Sequence, residues 1–268
     1  MTPHELMLRT NHYLIKGGEL TNAQKANITG QLLAAKSTPE QSQRRFTKIK
    51  GSERDMYPYL YVLPYNGGVK LSTIFNQEPK TQILSMNNYE LEIVRLLYLF
   101  EPDNSTVDDM VEQILERLKK TCFGNLGCGT GECFDAGLIT LRFLATTVPD
   151  STTWISNLIK CYNDHAAKRK YSKYYGPHYT KYYTWYYWLC LGELPYDIAE
   201  PELMKYKEEI LSAAQTGLEM TTEANKILNP VRMSALKSCI SRLPEYADTK
   251  EHQPYISDKD GRLRFDII

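Results

Sequence analysis

A chain of 268 residues is long enough to bury a full hydrophobic core, as one large domain or one domain with a small appendage. Its 42% apolar and 24% charged content excludes general disorder. Charge balance, 32 Lys plus Arg against 32 Asp plus Glu, disfavours a protein built to coat nucleic acid, which carries a clear basic excess.

The opening stretch, MTPHELMLRTNHYLIKGGEL, has no apolar run of signal-peptide length, and Arg9 and Lys16 interrupt what apolar character it has. The best apolar runs are short and broken, as at 93–100 with Arg95 inside, so no membrane span is expected. Six cysteines, none spaced as C-x-x-C, are too sparse for a disulfide scaffold. Reduced thiols in a cytoplasmic protein are the expectation.

Helix signals dominate the chain order. Thr2, Pro3 and Glu5 supply an N-cap, a first-turn proline and a capping-box acid, and Gly17-Gly18 ends that helix. Thr21 with Gln24 starts a second helix, which Ser37-Thr38-Pro39 stops near Lys36. The basic stretch holding Arg44, Arg45, Lys48, Lys50 and Arg54 reads as an exposed loop or linker. Residues 59–63 and 69–75, β-branched and aromatic, flank Asn66-Gly67-Gly68 and predict a hairpin over 57–75, with Pro64 limiting its first strand.

From Asn87 onward helices resume. Val107, Met110, Val111, Ile114, Leu115 and Leu118 form one apolar stripe over 105–120, with Ser105 as its cap. Further helices are predicted over 131–147, 152–170, 178–191, 201–219 and 231–242, with Pro201 and Pro230 in first turns and Asn229 as an N-cap. Asp260-Gly261 predicts a small C-terminal hairpin, packed beside the 57–75 strands. The fold expected is mainly α: an irregular antiparallel helical bundle or α-solenoid-like array with minor β-hairpins at 57–75 and the C-terminus. It is read as a single helical domain over 1–268, or as one with 1–54 a loosely attached helical hairpin and linker.

Two stretches carry the functional readings. The first is the glycine loop. Asn125-Leu126-Gly127-Cys128-Gly129-Thr130-Gly131 resembles the first motif of class I S-adenosylmethionine-dependent methyltransferases, an acid-x-Gly-x-Gly-x-Gly turn between strand and helix. That resemblance covers seven residues and implies Gly127, Gly129 and Gly131 as cofactor-binding. Asn125 stands where that family has an acid, and residues 115–121 read as a helix end.

Gly131-Glu132-Cys133-Phe134-Asp135-Ala136 resembles the Gly-x-Cys-x-Asp start of transglutaminase-like cysteine enzymes. It implies Cys133 as nucleophile, with His165 or His178 as its partner. A helix first turn would lower the Cys133 pKa. A loose metal set of Cys128, Cys133, Cys161 and His165 is the third reading of this loop, at spacings that zinc sites rarely use. The reading adopted is a helix–helix connection in which glycines supply the backbone freedom and the cysteines pack, with no cofactor and no metal.

The second stretch is KRKYSKYYGPHYTKYYTWYYWLCL, residues 168–191. The chain has 20 tyrosines against 7 phenylalanines, and eight of them fall between Tyr171 and Tyr187. Tyr175, Tyr179, Tyr183 and Tyr187 repeat at helical spacing, with Tyr182 and Tyr186 in the next row and Trp185 and Trp188 on further faces. Lys181 and its basic neighbours join Tyr175, Tyr179, Tyr183, Trp185 and Tyr186 in a candidate binding surface. Tyr, Trp and Arg anchor protein interfaces, whereas the balanced total charge weighs against single-stranded nucleic acid. The function expected is therefore a non-enzymatic protein-binding module, in one form an intracellular inhibitor or immunity-type protein against a partner enzyme. The competing expectation is an enzyme centred on the Gly127–Gly131 loop, cysteine-dependent or S-adenosylmethionine-dependent.

Overall fold

The computed structural model describes residues 1–46, 57–62, 71–77, 79, 81–125, 131–169, 184–251, 253–257 and 259–265. The fold is mainly α, with a small three-stranded antiparallel sheet. Two compact units emerge: Met1–Asn11 with Glu19–His178, and His12–Gly18 with Tyr179–Ile268.

Helix α1 (Pro3–Ile15), which belongs to the first unit as far as Asn11, begins with a reciprocal cap. Glu5 N donates to Thr2 Oγ1 at 3.2 Å, and Thr2 N donates to Glu5 Oε2 at 2.8 Å. Gly17, at φ +80°, takes the left-handed conformation that closes this helix. Helix α2 (Asn22–Ala34) carries the capping box of Thr21 and Gln24. Thr38-Pro39 does more than stop α2: Thr38 caps Gln41 N at 3.3 Å and opens helix α3 (Pro39–Phe46). The basic stretch read as a loop is thus helical as far as Phe46, and residues 47–56 lie outside the described ones.

Helix α4 (Gln82–Phe100) is the centre of this unit, and every residue from Leu84 to Leu97 is buried. A helix apolar on one stripe covers a core, whereas one buried all round must be surrounded. Helices α2, α5 (Ser105–Lys120) and α7 (Gly131–Thr147) pack around it, and α8 (Thr152–Arg169) packs on α7. The predicted stripe of α5 is buried at Val107, Met110, Val111, Ile114 and Leu118. Its cap is Asn104, whose side chain accepts from Thr106 N at 3.0 Å, so Ser105 becomes the first helical residue. The N-terminal helices belong to this core, with Met7, Asn11 and Leu32 fully buried.

The hairpin expected over 57–75 is not formed by the described residues, which include no strand there. Its tip, residues 63–70, lies outside them. Backbone donors that a partner strand would have satisfied are taken by side chains instead. Leu60 N and Tyr61 N donate to Glu90 Oε2 at 2.8 and 3.2 Å, Val62 N to Ser37 Oγ at 2.6 Å, and Leu71 N to Ser85 Oγ at 2.6 Å.

In the second unit, helix α9 (Thr184–Glu193) packs against the long helix α12 (Glu223–Ile240). A Cβ on Gly192 would lie 2.7 Å from Ser238 Oγ, so only glycine lets these helices approach this closely. Arg242, beyond the end of α12, donates to Leu191 O of α9 at 2.7 Å and to Leu194 O, just past the end of α9, at 2.6 Å. Two prolines fall inside helices rather than in first turns. Pro201 sits within α10 (Tyr196–Lys205), which α11 (Lys207–Thr216) follows, so the single helix expected over 201–219 is two. Pro230 sits within α12, which Thr222 caps. Asn229 is buried and ties α12 to the sheet by donating to Glu219 O at 2.6 Å. Burial of Leu228, Val231, Met233, Leu236 and Ile240 offsets the hydrogen bond that Pro230 removes.

The sheet runs β1 (Leu218–Glu219), β3 (Arg262–Arg264), β2 (Tyr255–Ile256), with Leu218 opposite Leu263 and Ile256 opposite Leu263. The C-terminal hairpin is present, and Gly261 turns it at φ +60°. Its third strand is β1, not the 57–75 segment.

Cys239 is enclosed between α9 and α12, its thiol donating to Trp188 O at 3.0 Å, and burial pushes its pKa up to about 12. Native protein treated with iodoacetamide at about pH 8 should therefore leave Cys239 unmodified, while denatured protein reacts. Peptide mass mapping reads this, and native labelling of Cys239 within minutes would show that the α9–α12 seam opens freely.

Candidate functional site

Before the glycine loop, the chain runs from α5 through Thr121, which is extended, into the short helix α6 (Cys122–Asn125). Gly127, Cys128 and Gly129 lie outside the described residues, and Gly131 is the first residue of α7. The methyltransferase motif needs a buried strand before its turn, and here helices stand in that place. The short helix α6 precedes the glycines and α7 begins at Gly131, while residues 126–130 themselves lie outside the described ones. Cys133 falls in the first turn of α7, but its side chain lies outside the described residues. So do those of His165 and His178, so the pairing of Cys133 with either histidine lies outside the described residues.

Gly124 is the glycine whose role the structure displays. A Cβ there would overlap the carbonyl oxygen of Leu118 and lie 2.7 Å from its carbonyl carbon. Gly124 O accepts from Trp154 Nε1 on α8 at 2.5 Å. Beside this link lies a cavity of about 550 Å³, lined by Gly124, Trp154, Leu158 and Cys161 with the polar Asn157, Lys160 and Asp164. This volume suits a small molecule.

Of the aromatic candidates, Tyr175, Tyr179, Lys181 and Tyr183 lie outside the described residues. Tyr186 is fully buried in α9 and presents no surface. Trp185 is half-buried, edge-on to Trp188 at 5.1 Å, with the Arg232 guanidinium 5.7 Å from its ring. Both therefore pack the second unit.

The sequence reading missed a set of charges inside the first unit. Glu90, Glu92 and Arg95 of α4, Arg117 of α5 and Arg142 of α7 are all buried. Arg117 Nη2 donates to Glu90 Oε1 at 2.6 Å, and its Nη1 donates to Asn87 Oδ1. Arg142 Nη1 donates to both Glu92 oxygens, at 3.0 and 2.9 Å, and Arg95 Nε donates to Glu92 Oε2 at 3.2 Å. Asn11 Oδ1 from α1 accepts from Arg95 and Arg142 at 2.5 and 2.9 Å. Burial pushes the Glu90 carboxyl up, against the pull of Arg117 and of the Leu60 and Tyr61 amides. These groups fasten α1, α4, α5 and α7 to one another. A faint signal was available, since Arg117 falls on the apolar stripe of α5, one turn beyond Ile114.

Among the described residues, no group of three or more His, Cys, Asp or Glu side chains is placed to hold a metal ion. No helix among them is long and apolar enough to cross a membrane. Compared with known protein families, with curated proteins and with solved structures, the chain matches none.

Proposed function

We propose that this chain is a cytoplasmic, non-enzymatic protein-binding module whose partner surface is the basic, tyrosine-rich stretch 168–183. One observation carries this reading. Residues 165–192 hold five Lys or Arg and eight Tyr with no Asp or Glu, in a chain of zero formal net charge. Tyrosine offers large contact area with few rotamers to freeze, and lysine and arginine steer an acidic partner. The stretch leads directly into α9, whose Tyr186, Tyr187, Trp188 and Leu191 are buried in the second unit, so it is tethered to a packed helix.

The test is affinity purification from the native host with the wild-type chain and with the Tyr175→Ser/Tyr179→Ser/Tyr183→Ser variant. One protein should co-purify at about equal molar amount with the wild type, and its recovery should drop at least about tenfold with the variant, equivalent to about 1.4 kcal/mol. The far-ultraviolet circular dichroism of the two should coincide. Absence of any stoichiometric protein partner, or nucleic acid recovered through the same tyrosines, overturns the proposal.

A further inference from the structure

The cavity beside α6 has a chemical polarity of its own. Trp154, Asn157, Leu158, Cys161 and Asp164 recur on α8 at the three- and four-residue spacing of one helix face, so the cavity runs along that face. At one end the Trp154 indole, fixed by its 2.5 Å bond to Gly124 O, stands with Leu158 as an apolar wall. At the other end Lys160 and Asp164 lie one helical turn apart.

These two charges are exposed, and neither makes an ion pair or hydrogen bond with a described residue. A basic residue four places before an acidic one is the weaker order for pairing along a helix, because it opposes the helix dipole. A cation and an anion left open at that spacing, next to a fixed apolar wall, match a ligand with the same three features.

We propose that this cavity binds a free α-amino acid with an apolar side chain. The ammonium meets the Asp164 carboxylate, the carboxylate meets the Lys160 ammonium, and the side chain lies against Trp154 and Leu158. Asn157 supplies an amide for the remaining polar edge. This inference is independent of the 168–183 stretch, and it needs no chemistry at Cys133 or Cys161.

Isothermal titration with L-leucine, L-phenylalanine and L-tryptophan tests it, alongside phenethylamine, which lacks the carboxylate, and 3-phenylpropionate, which lacks the ammonium. At least one amino acid should bind with a Kd of about 1 mM or tighter, and the two analogues at least about tenfold more weakly than phenylalanine. Asp164→Asn should weaken amino-acid binding about tenfold and leave 3-phenylpropionate unaffected; Lys160→Met should weaken it similarly and leave phenethylamine unaffected. Both side chains are exposed, so neither substitution threatens the fold. No binding of any of the three amino acids at about 10 mM overturns the proposal, as does binding that ignores both substitutions.

Discussion

Glu92→Gln should destabilise the first unit by about 3–5 kcal/mol, because it leaves two buried guanidinium groups without their carboxylate. Arg142 and Arg95 both donate to Glu92, and the exposures of all three side chains are 2%, 6% and 1%, so water cannot take over the role. Glutamine keeps the shape and one acceptor, so the loss isolates the charge rather than the packing. The expected result is a lower denaturant midpoint with an unchanged slope in urea unfolding. A second variant separates the two possible causes. Glu92→Leu combined with Arg142→Met and Arg95→Met removes the three charges together, and it should recover much of the loss, since a buried ionic set gains little over apolar side chains of similar volume. If Glu92→Gln changes stability by less than about 1 kcal/mol, the guanidinium groups are compensated elsewhere and the network is not the fastening of this unit.

Gly124→Ala should be nearly as damaging, at about 2–3 kcal/mol, although it adds one methyl group. That methyl would overlap the Leu118 carbonyl, a backbone group in the last turn of α5 that no side-chain rotation can move aside. Leu118 itself is fully buried, so α5 cannot retreat without opening the core. Relief therefore comes from shifting α6, which would pull Gly124 O away from Trp154. A lower thermal midpoint and a changed tryptophan emission should appear together, and Trp154→Phe should reproduce only part of the stability loss. Wild-type stability in Gly124→Ala would mean that α6 relaxes freely and that the junction tolerates a side chain. Gly217→Ala offers an internal comparison in the other unit: φ there is +71°, and the new Cβ would meet Leu263 O at 2.8 Å.

The parts of this fold legible in the sequence are those set within a few residues. The caps at Thr2 and Thr21, the hairpin turn at Asp260-Gly261 and the stripe of α5 each depend on residues within about one helical turn in sequence. Where the sequence misled, a distant element intervened. The 59–63 segment has strand composition, yet Glu90 claims its Leu60 and Tyr61 amides from thirty positions away. Pro230 is a first-turn residue by local preference, but the buried face of α12 extends on both sides of it. The glycine loop did not mislead in this way: Asn125 in the acid's place and a helix end over 115–121 already set it apart from the cofactor motif, and α5 and α6 do precede it.

The sequence by itself determined that this chain is mainly helical, where several of its helices begin, and that a basic tyrosine-rich stretch interrupts an otherwise balanced composition. Periodicity and capping are local, so one chain read in order is enough to find them. The tertiary structure alone decided that α4 is enclosed on all sides and that five of the unit's charges face inward. It also decided that Gly124 is small because Leu118 needs the space. Burial and charge pairing depend on which elements meet, and residues as far apart as Asn11 and Arg142 come together only when the helices pack.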